Sequence, residues 1–301
     1  MNYRVADNTT STDFASRINT QKGRLSVLNE RLTTGKRINR PSDDPGGAEI
    51  VLNLRTSQTE ITQFQRTTQA ATQKLTAADD TLNSYESILE RVRTLVTHGL
   101  SDTTTQDARN ALATEIDTLR TRILNVANTK NGEDYLFGGT RQNAPPFDPV
   151  TAAPAATPTA AQFVQIEPGA NAIAVGVTAD KIFNDATSSI FTDLTNASAA
   201  LRGTGNTATD RTTLETTSSR LGVYSGLVNN VRAIIGANSN ATDIAKNLLS
   251  ASFLSIDERA NDLESADFAA TAVALTDAQR ALDATLQVAA KGRRSLFDFL
   301  G

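Results

Sequence analysis

Few residues of this chain could carry chemistry, and the first candidates are two adjacent carboxylates. Asp43 and Asp44 lie in a segment rich in glycine and proline, where a cation could in principle bind. A calcium loop needs several more oxygen ligands at defined spacing, and the neighbouring residues do not supply them. We therefore interpret the pair as turn-forming and helix-capping residues.

A nucleophilic or metal-dependent site is equally poorly supported. His98 is the only histidine and there is no cysteine, so neither an H-E-x-x-H pattern nor a Cys–His set can form. The pair Gly138-Gly139 does not fit a phosphate-binding loop. We predict no catalytic, cofactor-binding or metal-binding residue, and an enzyme is the least expected class.

Charge and hydropathy exclude two kinds of partner. The 29 Lys and Arg residues against 33 Asp and Glu give a net charge of -4, and no basic run stands out, which argues against nucleic acid. No stretch approaches 18 consecutive apolar residues, so no membrane-spanning segment is expected. The first 25 residues lack the apolar core of a cleaved signal peptide.

The strongest pattern is a long apolar stripe that must belong to a helix. Its members recur every three or four positions and are interrupted only at Thr68, which predicts one long helix that packs against partner helices. The stripe consists of Ile61, Phe64, Ala71, Leu75, Ala78, Leu82, Tyr85, Leu89, Val92 and Val96. We expect this helix to begin near Ala48 and to end at His98-Gly99.

Shorter stripes predict further helices. One precedes the loop 39–47, with Gly35 as its stop, and another covers 112–126. After residue 205 the stripes 214–235 and 244–263 are separated by a predicted turn at 236–240, and a last stripe covers 268–300.

Between residues 131 and 205 the helical periodicity of the sequence gives way to turn signals, prolines and short alternating segments. Asn131-Gly132 predicts a turn, and five prolines between Pro145 and Pro158 exclude a helix there. Segments 163–166 and 173–177 alternate in polarity around Pro168-Gly169, which predicts a small β-hairpin.

The predicted fold class is therefore mainly α, an elongated α-helical bundle with N- and C-terminal coiled-coil helices and a small β-containing inserted domain. Five segments follow from the stripes and loops. They are an N-terminal coiled-coil segment (1–40), the first part of the bundle (41–130), a β-rich insertion (131–205), the second part of the bundle (206–265) and a C-terminal coiled-coil segment (266–301).

Three motifs give the chain a family resemblance. They are Pro-Ser-Asp-Asp-Pro at 41–45 after an N-terminal heptad helix, Tyr-Leu-Phe-Gly-Gly-Thr at 135–140 followed by Pro-Pro-Phe at 145–147, and Ser-Leu-Phe-Asp-Phe-Leu at 295–300. The chain thereby resembles the bacterial flagellin superfamily, and within it the hook-filament junction proteins. Pro45 and Gly47 depart from the usual flagellin pattern.

The resemblance implies a structural, extracellular role in bacterial motility. Such a protein would leave the cell by flagellar type III export without a cleaved signal peptide and assemble in a ring. Its partners would be the hook-associated junction protein FlgK, flagellin, further copies of itself and an export chaperone. A short flagellin forming the filament itself is the alternative, and a coiled-coil signalling bundle is disfavoured by the proline-rich insertion.

The assembly interface is expected on the two terminal stripes, because they lie outside the loop signals at both ends. The predicted interface residues are Phe14, Ile18, Leu25, Leu28, Leu32, Leu275, Leu282, Leu286, Leu296 and Leu300. Pro41, Asp43, Asp44 and Pro45 are predicted to form an inter-domain loop.

Overall fold

The computed structural model describes residues 3–154, 160–169, 172–185, 187–203 and 207–300. In the two terminal helices, side chains are described for residues 12–34 and for 268–290 except 289. The helices within these ranges are α1 Tyr3–Thr34, α2 Pro45–Gly99, α3 Gln106–Ala127, α4 Asp180–Phe183, α5 Ile190–Arg202, α6 Ala208–Glu264 and α7 Phe268–Leu300. The strands are β1 Lys130–Asn131, β2 Asp134–Tyr135, β3 Phe163–Val164 and β4 Ile173–Ala174. The predicted mainly α fold with a small β-containing part is confirmed.

The chain divides into two compact units. The terminal unit comprises Met1–Glu60 and Ser252–Gly301, and the central unit comprises Ile61–Ala251. The five-segment division remains a prediction.

The core of the central unit is built on the long stripe of α2. All its members except Phe64 are buried, as is the polar Thr68. From Leu75 onward the α2 stripe packs in one cluster with residues of α3, α5 and α6, among them Ile116, Leu194 and Tyr224. Burial of these side chains at roughly 1.5 to 3 kcal/mol each stabilises helices that could not persist alone.

The interruption of the stripe at Thr68 has a structural reason. Its hydroxyl contacts the carbonyl oxygens of Phe64 at 2.8 Å and of Ile166 at 2.9 Å. Ile166 follows β3, which pairs antiparallel with β4, so that Phe163 faces Ala174 and Val164 faces Ile173. The predicted hairpin is therefore confirmed, and Thr68 provides a polar contact between α2 and the segment that follows β3.

The segment between β1 and α6 contributes to the same core. Phe183 packs against Tyr85 of α2 with ring centroids 4.7 Å apart, and against Phe137 and Phe147 in edge-to-face geometry. The turn predicted at Asn131-Gly132 joins β1 to β2. Helices α4 and α5 were not expected in this segment, and α5 packs against α3.

One prediction about α6 is wrong. The segment 236–240 was expected to form a turn because it combines Gly236 with small and amide residues, but α6 continues through it. Ile235, Ala245 and Leu249 are buried on either side of this stretch, so that packing overrides the weak local helix propensity.

The helices carry many threonines whose hydroxyls bond to their own backbone. The hydroxyls of Thr33, Thr94 and Thr212 donate to the carbonyl oxygens four residues earlier, at 2.8, 3.0 and 2.9 Å. Other threonines of α1, α2, α3, α6 and α7 do the same, among them Thr56, Thr118, Thr216 and Thr285. This geometry satisfies the hydroxyl within the helix.

Candidate assembly interface

Helices α1 and α7 contact each other in the terminal unit. The N-terminal stripe is only partly covered by this contact. Leu28 is 7% exposed, whereas Phe14, Ile18, Leu25 and Leu32 are half-buried. A pair of helices can cover one side of each stripe, so apolar surface remains available on α1.

The stripe on α7 is less covered still. Leu275 and Leu282 are half-buried and Leu286 is 43% exposed. The predicted residues Leu296 and Leu300 belong to α7, but their side chains lie outside the described residues. The partly exposed leucines form an apolar seam that a further helix could cover.

The predicted inter-domain loop follows α1, which ends at Thr34 and is followed by Gly35 in the left-handed conformation with φ 69°. Pro41 is exposed and Pro45 is the first residue of α2, where proline lacks a donor that the helix does not need. The loop lies entirely in the terminal unit.

The two carboxylates of the loop act as backbone caps. Oδ2 of Asp43 accepts hydrogen bonds from the backbone N–H groups of Asn39 and Arg40 at 3.0 and 2.9 Å. Oδ1 of Asp44 accepts from the N–H of Gly47 at 3.0 Å in the first turn of α2. These bonds to the ionised form lower the pKa of both carboxyls, and they confirm the capping interpretation.

Gly47 is required by the close packing of this loop. A Cβ atom at this position would lie 2.6 Å from Oδ2 of Asp44 and 2.7 Å from Cδ1 of Ile38. Ile38 is buried, so it has little freedom to move away. At Gly46 the nearest such atom would be Oδ1 of Asp44 at 3.9 Å.

An ion-pair cluster that the sequence analysis missed lies beside the loop. Glu264, the last residue of α6, is 8% exposed and binds Lys36 at 2.8 Å and Arg55 at 3.1 Å. Arg55 also contacts Asp257 at 3.3 Å, and we name these four residues the Glu264 cluster. The two cations lower the pKa of the Glu264 carboxyl although burial opposes the change.

Backbone bonds reinforce the cluster. The N–H of Arg37 donates to the carbonyl oxygen of Glu264 at 2.6 Å, and its guanidinium donates to the carbonyl of Leu263 at 3.0 Å. The N–H of Ala266 donates to the carbonyl oxygen of Gly35 at 2.9 Å. The loop after α1 is thus joined directly to the loop between α6 and α7. In the sequence, the only sign of this contact between the loops is that Lys36, Arg37 and Glu264 are charged residues next to predicted loops.

Among the described residues of the central unit, Asp193 carries a buried carboxylate, and its environment is structural. Asp193 accepts hydrogen bonds from the hydroxyls of Tyr224 at 2.7 Å and Ser188 at 2.8 Å, and pairs with Arg220 at 3.3 Å. Burial and the bond to Asp193 raise the pKa of the Tyr224 phenol. The carboxylate is fully engaged by these donors, which fits a structural role in the core.

Two further features are absent from the described part of the chain. No group of three or more His, Asp or Glu side chains there is placed to hold a metal ion. None of the helices in those ranges combines the length and the apolar character needed to cross a bilayer.

The chain is similar to known proteins over most of its length. Residues 5–142 match the profile of the bacterial flagellin N-terminal helical region. Flagellar hook-associated protein 3 of Escherichia coli K12 is 28% identical over 275 residues, which cover 85% of this chain and 86% of that protein.

Solved structures share the fold. A protein of Vibrio parahaemolyticus described as a flagellar hook-associated protein superposes with a TM-score of 0.69 at 20% identity, covering 74% of this chain and 100% of that one. The flagellar junction protein FlgL of Legionella pneumophila gives 0.58 at 14% identity, covering 72% and 100%.

These similarities confirm the resemblance to the bacterial flagellin superfamily that the sequence motifs predicted. Within the superfamily it is similar to hook-associated protein 3 over nearly the full length of both proteins. It is accordingly a component of the bacterial flagellum.

Proposed function

We propose that this protein is a structural adaptor that joins the hook-side junction protein to the flagellin filament. The observation that carries the proposal is the contact between α1 and α7, which brings the two ends of the chain together and leaves their apolar seam partly uncovered. Such a seam suits association with helices of neighbouring subunits. The similarity to a hook-associated protein over 85% of this chain supports the choice of role.

The mechanism is one of matched interfaces. Copies of the chain associate in a ring through the half-buried Phe14, Ile18, Leu25 and Leu282 and the exposed Leu286, whose side chains become covered by the neighbour. One side of the ring meets the hook-associated junction protein FlgK, and the other meets the first layer of flagellin. No reaction is catalysed.

Export precedes this assembly in the proposal. The chain leaves the cell through the flagellar export apparatus without a cleaved signal peptide, after a cytoplasmic chaperone has bound it. The absence of cysteine from the sequence is compatible with this route, because no disulfide must form after export.

A short flagellin is the second candidate, and one observation favours it. The flagellin profile matches residues 5–142, which include all but the first two residues of α1 and the whole of α2 and α3. A flagellin would form long polymers of itself, whereas an adaptor would form one ring. The similarity to hook-associated protein 3 extends beyond residue 142 and makes the adaptor the stronger proposal.

Deletion of the gene in its host tests the choice. The adaptor role predicts bare hooks by electron microscopy and flagellin released into the medium by immunoblot, with attached filaments restored by the wild-type gene. Hooks without released flagellin would favour the flagellin alternative. Filaments that remain attached in the deletion strain would reject both.

A further inference from the structure

The Glu264 cluster lies at the base of both terminal helices. α1 ends at Thr34, two residues before Lys36, and α7 begins at Phe268, four residues after Glu264. Both cations that bind Glu264 belong to the N-terminal segment of the terminal unit, since Lys36 follows α1 and Arg55 lies on α2. The terminal unit contains α1, α7 and the adjoining parts of α2 and α6. The buried carboxylate of Glu264, at the end of α6, therefore connects α6 to α2 and to the residues just after α1, and it precedes the start of α7 by four residues.

We propose that Glu264 is a positioning residue for assembly, which fixes the direction of the α1–α7 pair relative to the adjoining parts of α2 and α6 through Lys36 and Arg55. This inference rests on the proposed function, because it concerns the interface that those helices would form. It assigns to the cluster a role in subunit fit in addition to its local contribution to stability.

The length of the terminal helices makes their direction critical. α1 has 32 residues, which at about 1.5 Å per residue span roughly 48 Å. A change of roughly 10° at the base would displace the far end by about 8 Å, more than the spacing of one helical turn. The seam would then meet a neighbouring subunit in the wrong register even if every helix remained folded.

The contacts around Glu264 are suited to hold such an angle. The carboxylate has two cationic partners on different segments, and the backbone bonds Arg37–Glu264 and Ala266–Gly35 cross between the same loops. Arg55 keeps Asp257 as a second partner, so loss of the Glu264 charge leaves no isolated buried cation. We therefore expect the angle to loosen before the unit unfolds.

In the test, the substitution Glu264→Gln is introduced into the full-length protein, and the variant is expressed in the deletion strain. We expect about tenfold fewer attached filaments than with wild type, because a small misfit recurs at every interface of a ring. The midpoint of thermal unfolding of the purified chain should fall by no more than about 6 °C. The matched control is Glu258→Gln on the same helix, which is exposed and forms no ion pair among the described residues, and it should behave as wild type.

A covalent replacement separates positioning from a general structural effect. Lys36 and Ser265 face each other in an antiparallel bridge, and the natural chain has no cysteine, so Lys36→Cys with Ser265→Cys can form one defined disulfide. Added to Glu264→Gln, the oxidised pair should restore attachment and the reduced pair should not. If Glu264→Gln does not fold, the single variant Lys36→Gln takes its place without the disulfide, since the Lys36 side chain is 49% exposed, and normal attachment by this variant would overturn the proposal.

Normal attachment by folded Glu264→Gln would overturn the proposal, as would failure of a formed disulfide to restore attachment. Failure of the proposed function is distinguishable, because it appears in the deletion and wild-type complemented strains before any variant is compared.

Discussion

The hydroxyl of Tyr224 lies 2.7 Å from Oδ2 of Asp193, inside the core of the central unit. Tyr85 is equally buried, but its hydroxyl has no hydrogen-bond partner among the residues that the structure describes. The phenol hydroxyl thus occurs twice in this core: it is hydrogen-bonded at Tyr224, and at Tyr85 it has no hydrogen bond among the described residues.

This pair predicts opposite effects of the same substitution. Tyr224→Phe removes a donor from a buried carboxylate and should lower the free energy of unfolding by about 1.5 to 3 kcal/mol. Tyr85→Phe removes a buried hydroxyl that has no hydrogen-bond partner among the described residues. The free energy of unfolding should therefore change by less than about 1 kcal/mol, in the stabilising direction. Urea denaturation of both variants measures the difference, and equal losses would contradict the hydrogen-bond assignment.

The central unit should fold without the terminal one. Its main core cluster, from Leu75 to Ile235, lies wholly within Ile61–Ala251. A fragment of residues 61–251 should retain a cooperative thermal transition by circular dichroism, yet it should not restore attached filaments in the deletion strain. Restoration by this fragment would show that the terminal helices are dispensable for assembly.

The apolar seam of α7 can be tested with two exposed residues. Leu286→Ser should reduce filament attachment with little change in the thermal midpoint, because the side chain is exposed in the single chain. Val288→Ser is the control, since two positions along a helix correspond to about 200° and place it on the opposite side. Equal losses from both variants would argue against a specific seam.

Two neighbouring glycines in the first turn of α2 should respond differently to alanine. Gly47→Ala forces a methyl group against Asp44 and Ile38 and should cost about 1 to 3 kcal/mol. Gly46→Ala meets no close atom and should be neutral or stabilise by up to about 1 kcal/mol through helix propensity. Thermal unfolding of the two variants provides the comparison, and a Gly47→Ala protein as stable as wild type would show that the loop yields.

Acid should weaken the terminal unit. The Glu264 pKa lies below its ordinary 4.5 in the folded protein, so its ion pairs contribute fully above that value and are lost as the pH falls through the lower folded pKa. Glu264→Gln should therefore differ from wild type in thermal midpoint at neutral pH and converge with it in acid. A difference that stays constant between pH 7 and the acid range would contradict this assignment.

The sequence predicted those parts of the fold that depend on local pattern. The α2 stripe is regular over five heptads, and the hairpin is marked by Pro168-Gly169 between two alternating segments. The residues 236–240 misled the prediction because glycine and asparagine usually signal a turn, whereas buried neighbours hold them in α6. Helix α5 escaped detection because Thr, Asn and Ser give Ile190–Arg202 weak local propensity.

The functional surface was predicted less completely. The terminal stripes and the capping role of Asp43 and Asp44 follow from spacing and residue type. The Glu264 cluster joins positions 36, 55 and 264, and no local pattern connects residues so far apart in sequence. Charges of this kind become informative only when the fold has brought their segments together.

The threonines that bond to their own helix backbone have a consequence for the stretched chain. In a helix their hydroxyls are occupied, but in an extended segment the same groups turn to water and hydrate the strand. Residues of this type contribute less helix propensity than alanine and little apolar surface, so at these positions a segment pulled straight presents hydrated groups between its apolar residues. Under the export route proposed above, these positions would favour hydration of the extended chain, and its helices would form again where packing partners become available.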